Sequence, residues 1–125
     1  MKYALALIAV FAFPAPGFAQ HSHGAQKGPN GGPVEDVAGV HAELVVSGNT
    51  VTFNILDEAN KPVASQGFTG SALVVSGADR ETVTLAPAGE SALQGDAKKS
   101  VAKGAAISVT IKTAAGKSGQ ARFKM

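Results

Sequence analysis

The chain contains no cysteine and no tryptophan, and it holds only one tyrosine and two methionines. Without cysteine the protein has neither disulfides nor thiol chemistry, so its stability has to come from packing alone. The methionines, Met1 and Met125, stand at the two ends of the sequence and cannot form a thioether copper site. Any metal ligands therefore have to come from histidine, carboxylates or the backbone.

The sequence also lacks any concentration of charge of one sign. The formal net charge is +2, and loss of Lys2 with an N-terminal leader would bring it near +1. Lys98 and Lys99 are the only adjacent basic pair. A nucleic-acid partner is therefore not expected, because such proteins carry clustered Lys and Arg.

Long apolar runs are missing beyond the N-terminus. Residues 1–19, MKYALALIAVFAFPAPGFA, combine a basic start, a short apolar stretch and the small residues Gly17 and Ala19, the pattern of a cleaved secretory signal peptide. The apolar stretch is shorter than the ~20 residues that cross a bilayer. We therefore predict export with cleavage after Ala19, and no membrane span in the mature protein.

Residues 20–32 contain no aliphatic side chain larger than alanine, and they are rich in glycine and polar residues. Such a segment has little to bury against a core, so its composition predicts a flexible tail. From residue 33 to residue 125 the composition changes to short apolar runs separated by turns. This change predicts one domain of modest size.

Alternation of apolar and polar residues is the main signal in residues 33–125, and it is clearest at 51–55 and 107–111. The predicted strands cover residues 34–37, 40–46, 50–56, 71–75, 80–85, 91–94, 106–112 and 120–124. No convincing helical pattern interrupts them. We predict an all-β fold, an immunoglobulin-like antiparallel β-sandwich of about seven strands, with an open barrel as the alternative.

Two of the three histidines, His21 and His23, flank Ser22 in the predicted tail. Close to a free N-terminal amine, such histidines bind Cu(II) or Ni(II) together with backbone amides. Cleavage after Ala19 would make them the second and fourth residues of the mature chain, which gives a looser chelate than a histidine in third place. The alternative is a soluble spacer in which both side chains are merely polar.

The third histidine, His41, stands two residues before Glu43 on a predicted strand. Residues two apart on a strand point to the same face, so this imidazole and this carboxylate could share one divalent ion. Two ligands do not complete a site, and His21 or His23 would have to supply the third. The alternative is a structural pair, hydrogen-bonded on an open sheet face.

Catalytic signatures are missing from the sequence. It contains no Gly-x-Ser-x-Gly elbow and no glycine-rich phosphate loop. The acidic pairs Glu35-Asp36 and Asp57-Glu58 lie at or near predicted turns, where paired acids are usually solvated, and neither has the spacing of a calcium loop. We therefore expect a protein that is not an enzyme.

Three stretches together carry a family resemblance: GPNGGPVEDVAGVHAELVVSGNTVTFNILDEANKPV, GSALVVSGADRETVTLAPAGESALQG and KSGQARF. They resemble the small exported proteins found beside heavy-metal efflux systems. They are also similar to the small N-terminal β-domain of some periplasmic adaptor subunits of resistance-nodulation-division metal pumps. The resemblance covers about residues 24–123, nearly the whole mature chain.

Relatives of this kind typically carry a His-rich tail, a His-Gly-Gly step and a Tyr-His-x-Glu-Leu strand. Here His21 and His23 match the tail, and His41 with Glu43 match the strand. Asn30 stands where the histidine of the His-Gly-Gly step would be, and Val40 replaces the tyrosine of the strand. A neutral amide is a poor metal ligand, so this departure reduces the supply of ligands.

The resemblance implies a β-sandwich in the periplasm that holds or hands over a divalent transition metal of the copper or zinc class in metal efflux or tolerance. The implied partner is a metal-efflux adaptor or another periplasmic protein. The alternative is a metal-free interaction module that docks to such a protein by adding a strand to an edge of its sheet.

Overall fold

A computed structural model describes residues 26–125 of the chain, and these residues form eight β-strands. The strands are β1 (Val34–Val37), β2 (Val40–Ser47), β3 (Thr50–Leu56), β4 (Thr69–Ser76), β5 (Asp79–Ala88), β6 (Ala92–Asp96), β7 (Ala106–Lys112) and β8 (Ser118–Lys124). The described part of the chain contains no helix, so it offers none with the length and apolarity to cross a membrane. The predicted all-β fold is confirmed. The predicted signal peptide and residues 20–25 lie outside the described range.

The alternating pattern of the sequence decides which side chains enter the core. Every second residue of β3, at positions 51, 53 and 55, is fully buried, and positions 107, 109 and 111 of β7 are fully buried as well. Phe53 packs against Phe123 of β8, with ring centroids 5.4 Å apart and planes tilted by 59°. Because the two strands are distant in the sheet order, this pair spans the interior and joins its two halves.

The eight strands lie in the order β1-β2-β3-β6-β5-β4-β7-β8, and each is antiparallel to its neighbours. Strand β5 links two halves of the sheet, because residues 79–85 pair with β4 whereas residues 86–88 pair with β6. Pro87 is accommodated in this last part of β5, where the strand has one neighbour and one free edge. Gly95 of β6 lets this strand lie close to β5, since a Cβ at position 95 would be 2.3 Å from the carbonyl oxygen of Thr84.

The two outer strands, β1 and β8, approach each other and nearly close the sheet. A Cβ on Gly119 of β8 would lie only 2.4 Å from the backbone nitrogen of Ala38, which follows β1. Ala38 and Gly39 form the two-residue turn between β1 and β2, both with positive φ, as tight hairpins require. Only glycine at position 119 permits this close backbone approach.

The prediction of an immunoglobulin-like sandwich of about seven strands is not supported. The described residues form eight strands in one nearly closed sheet instead of two separate sheets. The physical reason is the length of β5, which runs on through Ala88 and carries the hydrogen-bonded ladder from one half to the other. The sequence pattern predicted that this strand ends at residue 85, so the pairing of residues 86–88 with β6 was not expected.

Candidate functional site

The candidate ligands His41 and Glu43 both lie on the outer face of β2. The neighbouring residues Ala42 and Leu44 point inward and are buried in the core cluster. This arrangement follows from the two-residue repeat of a strand. The two side chains share a face, but the structure gives them different partners.

The His41 side chain pairs with Asp36 of β1. Its Nε2 lies 2.8 Å from Oδ1 of Asp36, and the two residues are direct partners in the β1–β2 register. The Asp36 side chain is 73% exposed, whereas that of His41 is 21% exposed. Nδ1 of His41 is buried and has no hydrogen-bond partner among the described residues. The imidazole therefore contacts one exposed carboxylate, and its second nitrogen has no hydrogen-bond partner in the described part of the chain.

The Glu43 side chain is fully buried, although it lies outside the apolar core. Its Oε2 accepts hydrogen bonds from the backbone N–H of Asn30 at 2.8 Å and of Gly32 at 3.0 Å. Its Oε1 accepts a hydrogen bond from Nδ2 of Asn30 at 2.9 Å. Three N–H groups compensate the burial of the carboxylate, as a buried ionisable group requires.

The segment that supplies these donors is a tight hairpin. Lys27 bridges Pro33, the N–H of Gly28 donates to the carbonyl of Gly32, and the N–H of Val34 donates to the carbonyl of Gln26. Composition led us to expect a chain without tertiary contacts through residue 32. In its described part this segment instead docks through its backbone, which needs no large apolar side chain.

Glycine is required at two positions of this hairpin because its backbone lies directly on β2. A Cβ on Gly32 would lie 2.0 Å from the carbonyl oxygen of Leu44, and one on Gly28 would lie 2.4 Å from Cδ of Glu43. We define residues 28–32 as the anchored turn. The glycine-rich composition that suggested flexibility is what lets the anchored turn pack so closely.

A small cleft of about 160 Å³ opens beside His41. It is lined by Gln26, Val34, Glu35, Asp36 and His41. The predicted ligands His21 and His23 lie outside the described residues, but His23 is only three positions before Gln26 in the sequence. Gln26, the first described residue, and His41, the third histidine, therefore line the same cleft.

Within residues 26–125 no three His, Asp or Glu side chains are grouped closely enough to hold a metal ion. The structure brings Asp36 to His41, a pairing that sequence reasoning missed. A signal for it was present, because the Ala38-Gly39 turn fixes the register that sets Asp36 opposite His41. Comparison of the chain with models of protein families, with curated protein sequences and with solved structures finds no match.

Proposed function

We propose that the protein is a periplasmic accessory protein, without enzymatic activity, that binds a divalent transition metal of the copper or zinc class and hands it over in metal efflux or tolerance. The proposed ligands are His41 and Asp36 from the described domain, with His21 and His23 from the N-terminal segment. The observation that carries the proposal is that Gln26 lines the same cleft as the His41–Asp36 pair.

The His41–Asp36 pair has a geometry close to that of two ligands of one ion. Nε2 and Oδ1 are 2.8 Å apart. Two ligand atoms at about 2.0–2.1 Å from a tetrahedral zinc ion lie roughly 3.3 Å from each other. A shift of about half an ångström would therefore bring the two atoms to the separation of two ligands of one metal ion. Asp36 is exposed enough to make this shift by rotating its side chain.

The path of the chain supports a contribution from the N-terminal histidines. The antiparallel bridge between Lys27 and Pro33, with the Val34 N–H bonded to the carbonyl of Gln26, sets Gln26 beside the first residue of β1, two residues before Asp36. Three residues span at most about 11 Å. His23 is therefore within reach of the cleft, and His21 follows two residues further upstream.

Such a site suits delivery better than storage. Two of the proposed ligands lie on the surface of the described domain and two on the N-terminal segment. A partner could therefore replace them one at a time, without opening a buried site. Binding has to displace protons from imidazole, so affinity should rise with pH. The implied partner is a metal-efflux adaptor or another periplasmic protein.

The test is a titration of protein beginning at Gln20 with Zn(II) and Cu(II) against a competing chelator. We expect one ion per chain, and an affinity that falls about tenfold or more in His41→Ala and in a His21→Ala/His23→Ala variant, since each removes ligands. Asp36→Asn should weaken binding, whereas Asp79→Asn, which removes an equally exposed carboxylate, should not.

Two results would contradict the proposal. Binding no tighter than that of a short His-containing peptide would leave the metal-free docking role as the better explanation. Binding that depends on His21 and His23 but is unchanged in His41→Ala and Asp36→Asn would place the ion on the N-terminal segment alone. In that case the cleft would have no part in metal binding.

A further inference from the structure

We propose that Glu43 is a positioning residue, an anchor that holds the described hairpin on β2 with Gln26 at the cleft beside His41 and Asp36, and that Asn30 is its dedicated partner. This inference rests on the proposed metal-binding function and changes the role of Glu43 within it. Sequence reasoning made Glu43 a metal ligand because it shares a face of β2 with His41. Its contacts favour a different task.

The acceptor atoms of Glu43 are already engaged. All three hydrogen bonds come from the anchored turn, two from its backbone and one from the Asn30 side chain. The carboxylate is fully buried under that turn, with Gly28 against its Cδ. An ion could reach it only after the turn had lifted off β2 and three N–H groups had lost their acceptor.

The anchor bears on the cleft through the backbone. The anchored turn continues into Lys27 and Gln26, and Gln26 lines the cleft. Without Glu43 the hairpin keeps its internal backbone bonds and the bond from the Leu44 N–H to the carbonyl of Pro33. It loses the three hydrogen bonds that join the anchored turn to the Glu43 side chain of β2. Gln26 would then be held at the cleft only by its backbone bond to Val34 and by the bridge between Lys27 and Pro33.

The consequence for binding is an effective-concentration effect. Ligands on a segment held beside the cleft meet a bound ion far more often than ligands on a loose segment. If the anchored fraction of molecules falls from near one to about a tenth, the apparent affinity falls about tenfold, although every ligand is still present.

The contact allows a test by exchange of partners. Asn30→Asp places a second carboxylate opposite Oε1 of Glu43, so the two acceptors repel each other. In the double variant Asn30→Asp/Glu43→Gln the hydrogen bonds return. The introduced glutamine can accept from the backbone N–H groups of residues 30 and 32 through its oxygen and donate to the introduced aspartate through its nitrogen. Asn60→Asp, on an exposed turn, controls for the added charge.

The measurements are Zn(II) affinity and, without metal, amide hydrogen exchange at Gly32 and Val34. We expect Asn30→Asp to lose about tenfold in affinity and to exchange faster at both amides. The double variant should recover both properties, and Asn60→Asp should match the wild type. The double variant restores both the contact and the net charge, so Asn60→Asp, which adds a charge without touching Glu43, shows whether charge alone changes the affinity.

Two outcomes would overturn the inference. Unchanged or tighter zinc binding in Asn30→Asp would show that the anchor does not govern the site, and failure of the double variant to recover would show that the pair is not specific. These outcomes differ from failure of the proposed function, in which the wild type itself binds no ion. The exchange rates, measured without metal, report on the anchor in either case.

Discussion

Closure of the sheet between β1 and β8 depends on one residue without a side chain. Gly119 lies against the backbone of Ala38, and an added Cβ would come within 2.4 Å of its nitrogen, 2.9 Å of its Cα and 3.2 Å of its Cβ. Ordinary contacts between such atoms are about 3.5–4.0 Å. Gly119→Ala therefore forces the two strands apart by about 1 Å, because no flexible side chain is present to yield.

The expected cost of Gly119→Ala is a net destabilisation of about 1–2 kcal/mol. Overpacking against a fixed backbone typically costs about 1–3 kcal/mol. The φ of Gly119 is not in the left-handed region, so alanine adopts this backbone without strain. It also gains about 0.4–1 kcal/mol from a less flexible unfolded chain. For a domain of this size we expect the melting temperature to fall by roughly 5–10 °C.

The assay is urea unfolding combined with amide exchange along β1 and β8. Gly104→Ala is the control, since position 104 has a φ of +90° and open space around it, and alanine there costs only backbone strain of about 1–2 kcal/mol. Both variants should lose global stability, but only Gly119→Ala should speed exchange in β1 and β8. Wild-type stability and unchanged exchange in Gly119→Ala would refute the reasoning that this contact closes the sheet.

Two further predictions concern the anchored turn and the core. Gly32→Ala, whose Cβ would lie 2.0 Å from the carbonyl oxygen of Leu44, should lift the turn and speed exchange of the Leu44 N–H. Gly31→Ala has open space but a φ of +80°, so it adds only backbone strain and should speed that exchange much less. Equal exchange in the two variants would contradict the close docking. Phe53→Leu should cost about 1–3 kcal/mol, and a double-mutant cycle with Phe123→Leu should show about 0.5–1.5 kcal/mol of coupling in urea unfolding. No measurable coupling would mean that the tilted ring pair at 5.4 Å adds nothing beyond its buried area.

The strands could be predicted from the sequence because their signals are local. Alternation and turn residues located all eight, and the Gly48-Asn49 turn agrees with the register that ends at Ser47 and Thr50. Strand pairing could not be predicted in the same way, since it depends on contacts between residues that are distant in the chain. The strand that pairs with both halves, β5, is the clearest case. The sequence predicted a strand that ends at residue 85, yet pairing with β6 extends it to Ala88.

In the candidate site, too, the sequence predicted what depends on neighbouring residues and missed what depends on tertiary contacts. That His41 and Glu43 share a face follows from a two-residue spacing, and the sequence predicted it. Their different partners come from tertiary contacts, Asp36 across the β1–β2 hairpin and Asn30 from the turn folded over β2. A segment without large apolar side chains gives no pattern that predicts docking, because its contacts with Glu43 are hydrogen bonds, two from the backbone and one from the Asn30 side chain.

The asparagine at position 30 can now be given a physical interpretation. The resemblance to metal-efflux proteins leads one to expect histidine there, and asparagine is a poor metal ligand in its place. Asparagine nevertheless supplies a side-chain N–H donor, and its Nδ2 uses that donor on Glu43 at 2.9 Å. A neutral imidazole could make a hydrogen bond of the same kind. If the role of this position is to donate to the buried carboxylate, asparagine preserves the anchor while removing one potential ligand. The proposed metal site would then rely on the pair His41 and Asp36 together with His21 and His23.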